Sequence, residues 1–165
     1  MTTLQIKRHP DPVLKQVCTP LALYGHETQT LIGDLLETMY ENKGVGLAAP
    51  QVGFPVRAFV VDVDWVRTGR RDNALVFVNP TLTYSTVKRK GREGCLSLPG
   101  VHEQVERSET VVVSARNARG IAFEAQYEGF LAVAIQHEFD HLNGVTMLQH
   151  LSPLTRKFAL KSLQR

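Results

Sequence analysis

The sequence lacks the features that mark membrane and secreted proteins. Among its 165 residues there is no run of about 18 uncharged apolar residues, the length that a transmembrane helix requires. The opening stretch, MTTLQIKRHPDP, does not contain the apolar segment of a secretory signal. These absences argue against an integral membrane protein. They predict a cytoplasmic location, with no membrane among the protein's partners.

Cysteine is scarce, and neither sign of charge dominates. Two cysteines, Cys18 and Cys95, are too few for the disulfide framework of a small secreted protein. A net charge of +3 is only mildly basic, so it is weak evidence for nucleic-acid binding, and we expect no DNA partner. Low-complexity tracts and internal repeats are also absent. The length suits one domain with a sizeable core, which we predict to span residues 1–165.

The hydrophobic pattern predicts an α+β fold. Apolar residues follow helical spacing over residues 28–42 and 130–142. Ser152 and Pro153 are favourable cap and first-turn residues for a short C-terminal helix. Strand-like runs lie between the first two helices, at 56–63, 74–80, 81–89, 110–116 and 121–127. We therefore predict mainly antiparallel strands packed around a central helix.

The central helix carries the first chemical motif, HEFDH, at residues 137–141. His137 and His141 are four residues apart, so on a helix both imidazoles lie on one face, one turn apart. Glu138 completes the H-E-x-x-H pattern, in which two histidines hold a metal and the glutamate moves protons for the water that the metal activates. A solvated helix face with ordinary histidines is the alternative. A catalytic metal centre of this kind usually has three protein ligands, so a third is needed.

The chain downstream of the motif does not supply the third ligand. One protease pattern places a histidine where this chain has Met147. No aspartate or glutamate follows His141, and His150 matches neither familiar pattern. Upstream, Cys95 lies in EGCLSLPG, a Gly-flanked and Pro-terminated stretch that we interpret as a loop able to direct a thiolate at the helix. A small buried hydrophobe is the alternative for Cys95.

A third distinctive segment is GVGLAAPQVG, at residues 44–53. It fits a dinucleotide-binding fingerprint by letter, but that motif needs a strand before it and a helix after it. Here a helix is predicted before it, and Pro50 disfavours helix at Ala49. Small residues such as Gly44 and Gly46 instead let another backbone or a peptide substrate approach closely. Gln51 would then offer an amide donor at the rim.

The central helix also predicts an apolar wall beside the metal. Phe130, Val133 and Ala134 precede His137 by one or two helical turns, so they share its face. Such a wall suits an unbranched side chain such as methionine. An ordinary core face of the helix is the alternative for each position.

The three segments together resemble the peptide deformylases, which remove the N-formyl group from nascent proteins. The family motifs G-x-G-L-A-A-x-Q, E-G-C-L-S and Q-H-E-x-D-H stand here, complete and in order, at residues 44–51, 93–97 and 136–141. The resemblance covers nearly the whole chain. It implies one catalytic domain, a metal-dependent hydrolase that releases formate from N-formylmethionyl peptides.

The resemblance also implies a role for individual residues. Cys95, His137 and His141 would be the metal ligands, and Glu138 the general acid and base. Gln51 and the backbone N–H of Leu96 would stabilise the oxyanion. The substrate would lie against Gly44, Val45, Gly46, Phe130, Val133 and Ala134. The metal would be iron(II) in the cell, whereas zinc, nickel or cobalt would be found in purified protein.

Several further expectations concern residues outside these motifs. Gly91 replaces a bulky aliphatic residue of some family members, which predicts a roomier methionine pocket. Glu93 and Arg107 are candidates for a structural ion pair, and Asp140 either orients a ligand histidine or is solvated. The basic C-terminal segment would dock on ribosomal RNA, unless it is simply a solvated helix face; it contains Arg156, Lys157, Lys161 and Arg165.

Other functions stay open at this stage. A zinc-type metallopeptidase would need the downstream ligand that the sequence does not offer. A non-catalytic protein with a closed structural metal site would need a fourth protein ligand. A related hydrolase acting on another acyl amide is a further alternative.

Overall fold

Two antiparallel sheets and four helices make up the computed structural model, which describes residues 1–22 and 24–164. The helices are α1 (His26–Glu41), α2 (Trp65–Thr68), α3 (Gly129–Leu142) and α4 (Pro153–Leu163). The strands are β1 (Gly46–Ala48), β2 (Ala58–Val61), β3 (Leu75–Tyr84), β4 (Lys88–Cys95), β5 (Leu98–Ser108), β6 (Thr110–Arg116) and β7 (Ala122–Glu128). Short 3₁₀ helices span Pro12–Lys15, Ala49–Val52 and Met147–His150.

The larger sheet has the strand order β1-β2-β3-β6-β7, and β4 and β5 form a separate two-stranded sheet. All neighbouring strands run antiparallel. Helix α3 packs on β1 and β2 of the larger sheet and also touches β5 of the smaller one, so it lies between the two sheets. Helix α4 packs on β5. The predicted α+β fold, mainly antiparallel with a C-terminal helix, is confirmed.

Helix α3 is held in place by the packing of its apolar side chains and by the hydrogen bonds of one side-chain amide. Ile135 and Leu142 are fully buried in the core beside the larger sheet. The amide of Gln136 accepts from the Ser108 N–H at 3.0 Å and donates to the Ser108 carbonyl at 2.9 Å, which ties the helix to the end of β5. Gly144 follows with a φ of +70°, and a Cβ there would lie 2.5 Å from the Lys15 carbonyl oxygen, so only glycine fits this helix end.

Two strand predictions were wrong. The runs 74–80 and 81–89 form one strand, β3, up to Tyr84. The pairing register shifts between Val78 and Thr81, and this irregularity accommodates Pro80, which has no N–H to donate. The stretch interpreted as a loop around Cys95 is instead a hairpin, in which β4 ends at Cys95 and β5 begins at Leu98.

The predicted cap of the C-terminal helix is present, whereas the expectation about Pro50 was wrong. Ser152 Oγ accepts from the Thr155 N–H at 3.2 Å at the start of α4. Pro50, which was expected to keep Ala49 out of a helix, lies in the first turn of a 3₁₀ helix that begins at Ala49. Proline is tolerated there because first-turn N–H groups have no helical partner. In the described part of the chain, no helix is both long and apolar enough to cross a membrane.

Candidate metal centre and substrate cleft

Two side chains of helix α3 converge with one side chain from the end of strand β4. Cys95, His137 and His141 place their potential ligand atoms within 4.8 Å of one another. The Sγ of Cys95 lies 3.4 Å from Nε2 of His141. Both histidines are buried, and Cys95 is half-buried at the end of β4. Among residues 1–22 and 24–164, this is the one such group of three or more potential ligands.

The donor set fits a divalent metal. Sulfur and nitrogen ligands at roughly 2.3 and 2.0 Å from a tetrahedral ion lie about 3.5 Å apart, close to the spacing of Cys95 and His141. One buried polar atom beside the site, Oε2 of Glu138, has no hydrogen-bond partner in the described part of the chain. Buried polar atoms normally have partners, so this oxygen marks a place where a further group can bind. No fourth protein ligand from the described residues joins the three.

A buried ion pair orients His137. Nδ1 of His137 lies 2.8 Å from Oε1 of Glu93, which leaves Nε2 for a metal. The Arg107 guanidinium donates to both carboxylate oxygens of Glu93, at 2.8 and 2.9 Å. The predicted ion pair of Glu93 and Arg107 is therefore present, and it also holds a ligand histidine.

Charge and burial set the protonation of these groups. Burial acts to raise the pKa of Glu93, but the hydrogen bonds from Arg107 and His137 outweigh it and lower that pKa to about 2. Burial and the positive charge of His137 lower the pKa of His141 to about 3, so this ring is neutral, the form that binds metal. For His137, burial is opposed and outweighed by its contacts with Cys95 and Glu93, which raise its pKa. A metal that binds Nε2 of His137 must therefore displace a proton.

Glu138 lies against the backbone of Gly46. A Cβ at residue 46 would be 2.6 Å from Oε1 of Glu138 and 2.8 Å from its Cγ, so the carboxylate occupies the space of the missing side chain. Burial raises the pKa of Glu138 to about 7, and the positive charge of His137 partly opposes that rise. The site thus holds a buried carboxyl group whose pKa is close to neutral pH.

The amide of Gln51 is fixed with its N–H groups toward the thiol. Its Oε1 accepts from the Ala48 N–H at 2.8 Å. Its Nε2 therefore faces Ser97 Oγ at 3.2 Å and Cys95 Sγ at 3.6 Å. Gln51 is 1% exposed, so it lies deep in the site and not at its rim as we expected.

One cleft of about 420 Å³ is lined by all of the predicted site residues except His141. Its lining includes Gly44, Val45, Gly46, Gln51, Cys95, Leu96, Phe130, Val133, Ala134, His137 and Glu138. The volume falls in the range of small-molecule sites. His141 is 1% exposed and lies behind Cys95. Phe130 is 55% exposed, so it forms the mouth of the apolar wall, whereas Ala134 is buried.

Some expectations about neighbouring residues were wrong or lack support. Asp140 neither orients a ligand histidine nor is simply solvated: it accepts from Arg107 Nη1 at 2.6 Å and lies 2.8 Å from His150 Nε2. His150 is therefore part of a polar network and not of the ligand group. Gly91 does not belong to the described lining of the cleft, so its effect on the methionine pocket stays a prediction.

Sequence reasoning missed the roles of two residues in the site, the bond of Glu93 to a ligand histidine and that of Ser97 to Gln51. Glu93 lies on β4 two residues before Cys95, but the pairing register shifts between Gly94 and Cys95, so regular alternation does not relate their side chains. Its closeness to Cys95 in the sequence was the signal that could have placed Glu93 beside the metal ligands. Ser97, the partner of Gln51, had no local signal, because their contact joins positions 46 apart in the sequence.

Comparisons with known proteins agree on one family. The family described as polypeptide deformylase matches residues 3–157 of this chain. Peptide deformylase 1 of Ralstonia nicotianae is 42% identical over 168 residues, covering 99% of this chain and 97% of the relative. The peptide deformylase of Acidobacterium capsulatum is 40% identical over 160 residues, covering 97% of this chain and 93% of the relative. A crystal structure of a peptide deformylase from Legionella pneumophila matches with a TM-score of 0.93 at 40% identity, covering 99% of this chain and 94% of that chain.

Proposed function

Because this chain belongs to the polypeptide deformylase family, we propose that it hydrolyses the N-formyl group of N-formylmethionyl peptides, releasing formate and a free amino terminus. The observation that carries the proposal is a group of three potential metal ligands, two of which line one cleft together with the buried Glu138 carboxyl group and an apolar wall. Such a site combines a metal centre with a proton-transfer group and a side-chain pocket.

We assign Cys95, His137 and His141 as the metal ligands. A divalent ion held by them would act as a Lewis acid toward the formyl carbonyl and would lower the pKa of water in the cleft. Two imidazoles and a thiolate suit iron(II), zinc, cobalt or nickel. We propose iron(II) in the cell, as the family resemblance implies, and one of the other ions in protein purified in air.

Glu138 is the proposed general base and general acid. Its pKa of about 7 suits a group that both accepts and donates a proton near neutral pH. In the proposed reaction it accepts a proton from the attacking water and then gives a proton to the departing amine nitrogen. The carboxylate is thereby restored, and the products are formate and the peptide with a free amino group.

Gln51 and the backbone N–H of Leu96 are the proposed donors to the oxyanion. Support for Gln51 comes from the Ala48 N–H, which holds its Oε1 and so directs its N–H groups toward Cys95. Leu96 follows Cys95 directly and lines the same cleft. A thiolate ligand donates more charge than a carboxylate, so the metal is a weaker Lewis acid and such donors matter more.

Substrate binding is assigned to the two edges of the cleft. Val133, Ala134 and Phe130 supply an apolar surface for the methionine side chain. Gly44, Val45 and Gly46 form the opposite edge; a Cβ at residue 44 would lie 2.8 Å from Leu96 Cδ1, so the backbone here is already closely packed.

The proposal is tested by measuring formate release from formyl-Met-Ala-Ser-amide, with protein purified without oxygen. We expect kcat/KM in the usual enzyme range, roughly 10⁴–10⁸ M⁻¹s⁻¹, loss of activity on chelation, and recovery when metal is restored. The acetyl-Met-Ala-Ser-amide peptide is the matched control, because it differs by one methyl group on the acyl carbon. Protein with bound metal that releases no formate would contradict the proposal, and faster cleavage of the acetyl peptide would indicate another acyl amide as substrate.

Gly46→Ala is expected to lower kcat about 10²-fold. The new methyl group would displace the Glu138 side chain, whose Oε1 and Cγ would lie 2.6 and 2.8 Å from it, and a shift of about 1 Å in a reacting group can have this effect. Gly25→Ala is the control, since a Cβ there meets nothing within 4 Å and residue 25 does not line the cleft. Steady-state kinetics on folded protein, checked by thermal melts of both variants, decide the matter: an unchanged kcat would show that Gly46 does not serve to make room for Glu138.

Ribosome docking through α4 and a cytoplasmic location stay predictions. Arg156 donates to the backbone carbonyl of Leu148 at 2.8 Å, so it stabilises the preceding turn and is not free to meet RNA. Lys157 and Lys161 are exposed and are the cations of this helix that remain available. Arg165 lies outside the described residues.

A further inference from the structure

We propose that the outer part of the cleft, which is lined by Arg8, Lys43 and Arg92, selects peptides with acidic side chains in the residues that follow the formylmethionine. The inference rests on the proposed function, because it concerns the substrate of the same cleft. It is carried by three cationic side chains that line the cleft, those of Arg8, Lys43 and Arg92.

The acidic residues of the cleft do not neutralise these cations. Within the described residues, Glu93 and Glu138 are the acidic side chains that line it. Glu93 is buried and is already bonded to Arg107 and His137. Glu138 is buried beside the potential metal ligands. The outer part of the cleft therefore presents three positive charges and no free carboxylate.

The three cations are also free of other partners. Arg8, Lys43 and Arg92 are exposed, and within residues 1–22 and 24–164 none of them makes an ion pair or a side-chain hydrogen bond. By contrast Arg89, on the same strand as Arg92, is paired with Glu109 at 2.8 Å. A carboxylate of a bound peptide would thus not have to displace an existing partner.

The backbone brings these cations to the cleft from three separate segments. The residues on either side of Arg8 donate backbone hydrogen bonds to the carbonyls of Gln51 and Ser97, at 2.7 and 2.9 Å. Lys43 has a φ of +56° at the end of α1 and directly precedes the glycine edge of the cleft. Arg92 lies within β4, three residues before Cys95. Each of the three charged side chains is therefore attached to the wall of the cleft at a fixed backbone position.

The chemistry of the substrate indicates which part of it these cations meet. A formyl peptide has no charge at its amino end, because the amine is acylated. Its first side chain is assigned to the apolar wall of the cleft. On a nascent chain the carboxyl end is also not available. The groups that can respond to three free cations are therefore the side-chain carboxylates of the following residues.

The effect is tested with formyl-Met-Ala-Glu-Glu-amide, its Ser-Ser analogue and its Lys-Lys analogue, using the metal-loaded full chain. The terminal amide removes the carboxylate that would otherwise add a charge of its own. One exposed ion pair changes an equilibrium by roughly 1.4- to 5-fold. We expect kcat/KM for the Glu-Glu peptide to be about tenfold above that for the Lys-Lys peptide at low salt, with the ratio falling toward one at about 0.5 M salt because of screening.

Charge reversal supplies the matched test. In the double variant Lys43→Glu/Arg92→Glu the ratio of the two charged peptides should invert. Arg119→Glu, which reverses one charge in the exposed turn between β6 and β7, away from the cleft, should leave the ratio as in the wild type. Equal kcat/KM for all three peptides, with ready formate release, would overturn the charge selection alone. No formate from any of them would overturn the proposed function and this inference with it.

Discussion

Replacing Glu138 with glutamine is expected to lower kcat by about 10²- to 10⁴-fold while the protein keeps its metal and its fold. Glutamine has nearly the same shape as glutamate, so it can occupy the space beside Gly46, but it neither accepts nor donates the proton that the reaction moves. Glu138 does not belong to the Cys–His–His ligand group, so metal content should stay at the wild-type level. A fall in kcat with an unchanged metal content would separate proton transfer from metal binding.

The measurement combines formate release, metal analysis and thermal melts on the same preparation. Glu128→Gln is the control: it makes the same change of charge just before α3, at an exposed side chain that makes no capping hydrogen bond. It should behave as the wild type. A Glu138→Gln protein that holds its metal and keeps more than about a tenth of the wild-type kcat would remove Glu138 from the mechanism.

The part of the site on α3 could be predicted from the sequence because helix geometry is local. A spacing of four residues puts His137 and His141 on one face without reference to any other part of the chain. The same rule placed Val133 and Ala134 beside them, and both line the cleft. The spacing along the helix did not predict how exposed each side chain is, however. The exposure of Phe130 depends on how the neighbouring segments cover the start of α3.

The hairpin of β4 and β5 could not be predicted in the same way. Its first strand reads KRKGREGC and has one buried side chain, Glu93, so no alternation of apolar and polar residues marks it as a strand. The strand is stabilised by pairing with β5 and by the bond of Glu93 to Arg107, two residues that lie 14 positions apart. Both contacts are tertiary, and the position of Cys95 depends on them.

Arg107→Met is expected to lower the free energy of unfolding by about 3–5 kcal/mol, because it leaves buried carboxylates without their cation. Arg107 is 5% exposed and bonds both Glu93 and Asp140. The pKa of Glu93, lowered from 4.5 to about 2, corresponds to about 3 kcal/mol in favour of the charged form, in agreement with that range. We also expect weaker metal binding, since His137 loses the fixed position of its partner Glu93.

Arg89→Met is the matched control for this prediction. Arg89 pairs with Arg107 in the register of β4 and β5 and makes its own ion pair with Glu109 at the same distance, 2.8 Å, but its side chain is 73% exposed. Its loss should change the free energy of unfolding by no more than about 1 kcal/mol. Urea unfolding of both variants at pH 7.5 therefore compares a buried with an exposed ion pair on one hairpin. Equal effects would show that burial of Arg107 is not what makes its ion pair important.

The pH dependence of unfolding distinguishes a charge effect from lost packing. In the wild type the lowered pKa of Glu93 gives a contribution to stability that is fully present above about pH 4.5 and is lost as the pH falls toward 2. Without Arg107, only His137 is left to oppose burial, so the pKa of Glu93 lies above its wild-type value and the variant recovers stability when this carboxylate is protonated. The difference between wild type and Arg107→Met, measured on chelator-treated protein, should therefore be largest near pH 7.5 and shrink as the pH falls toward 2. A difference that stays constant with pH would assign the loss to packing of the Arg107 side chain and not to its charge.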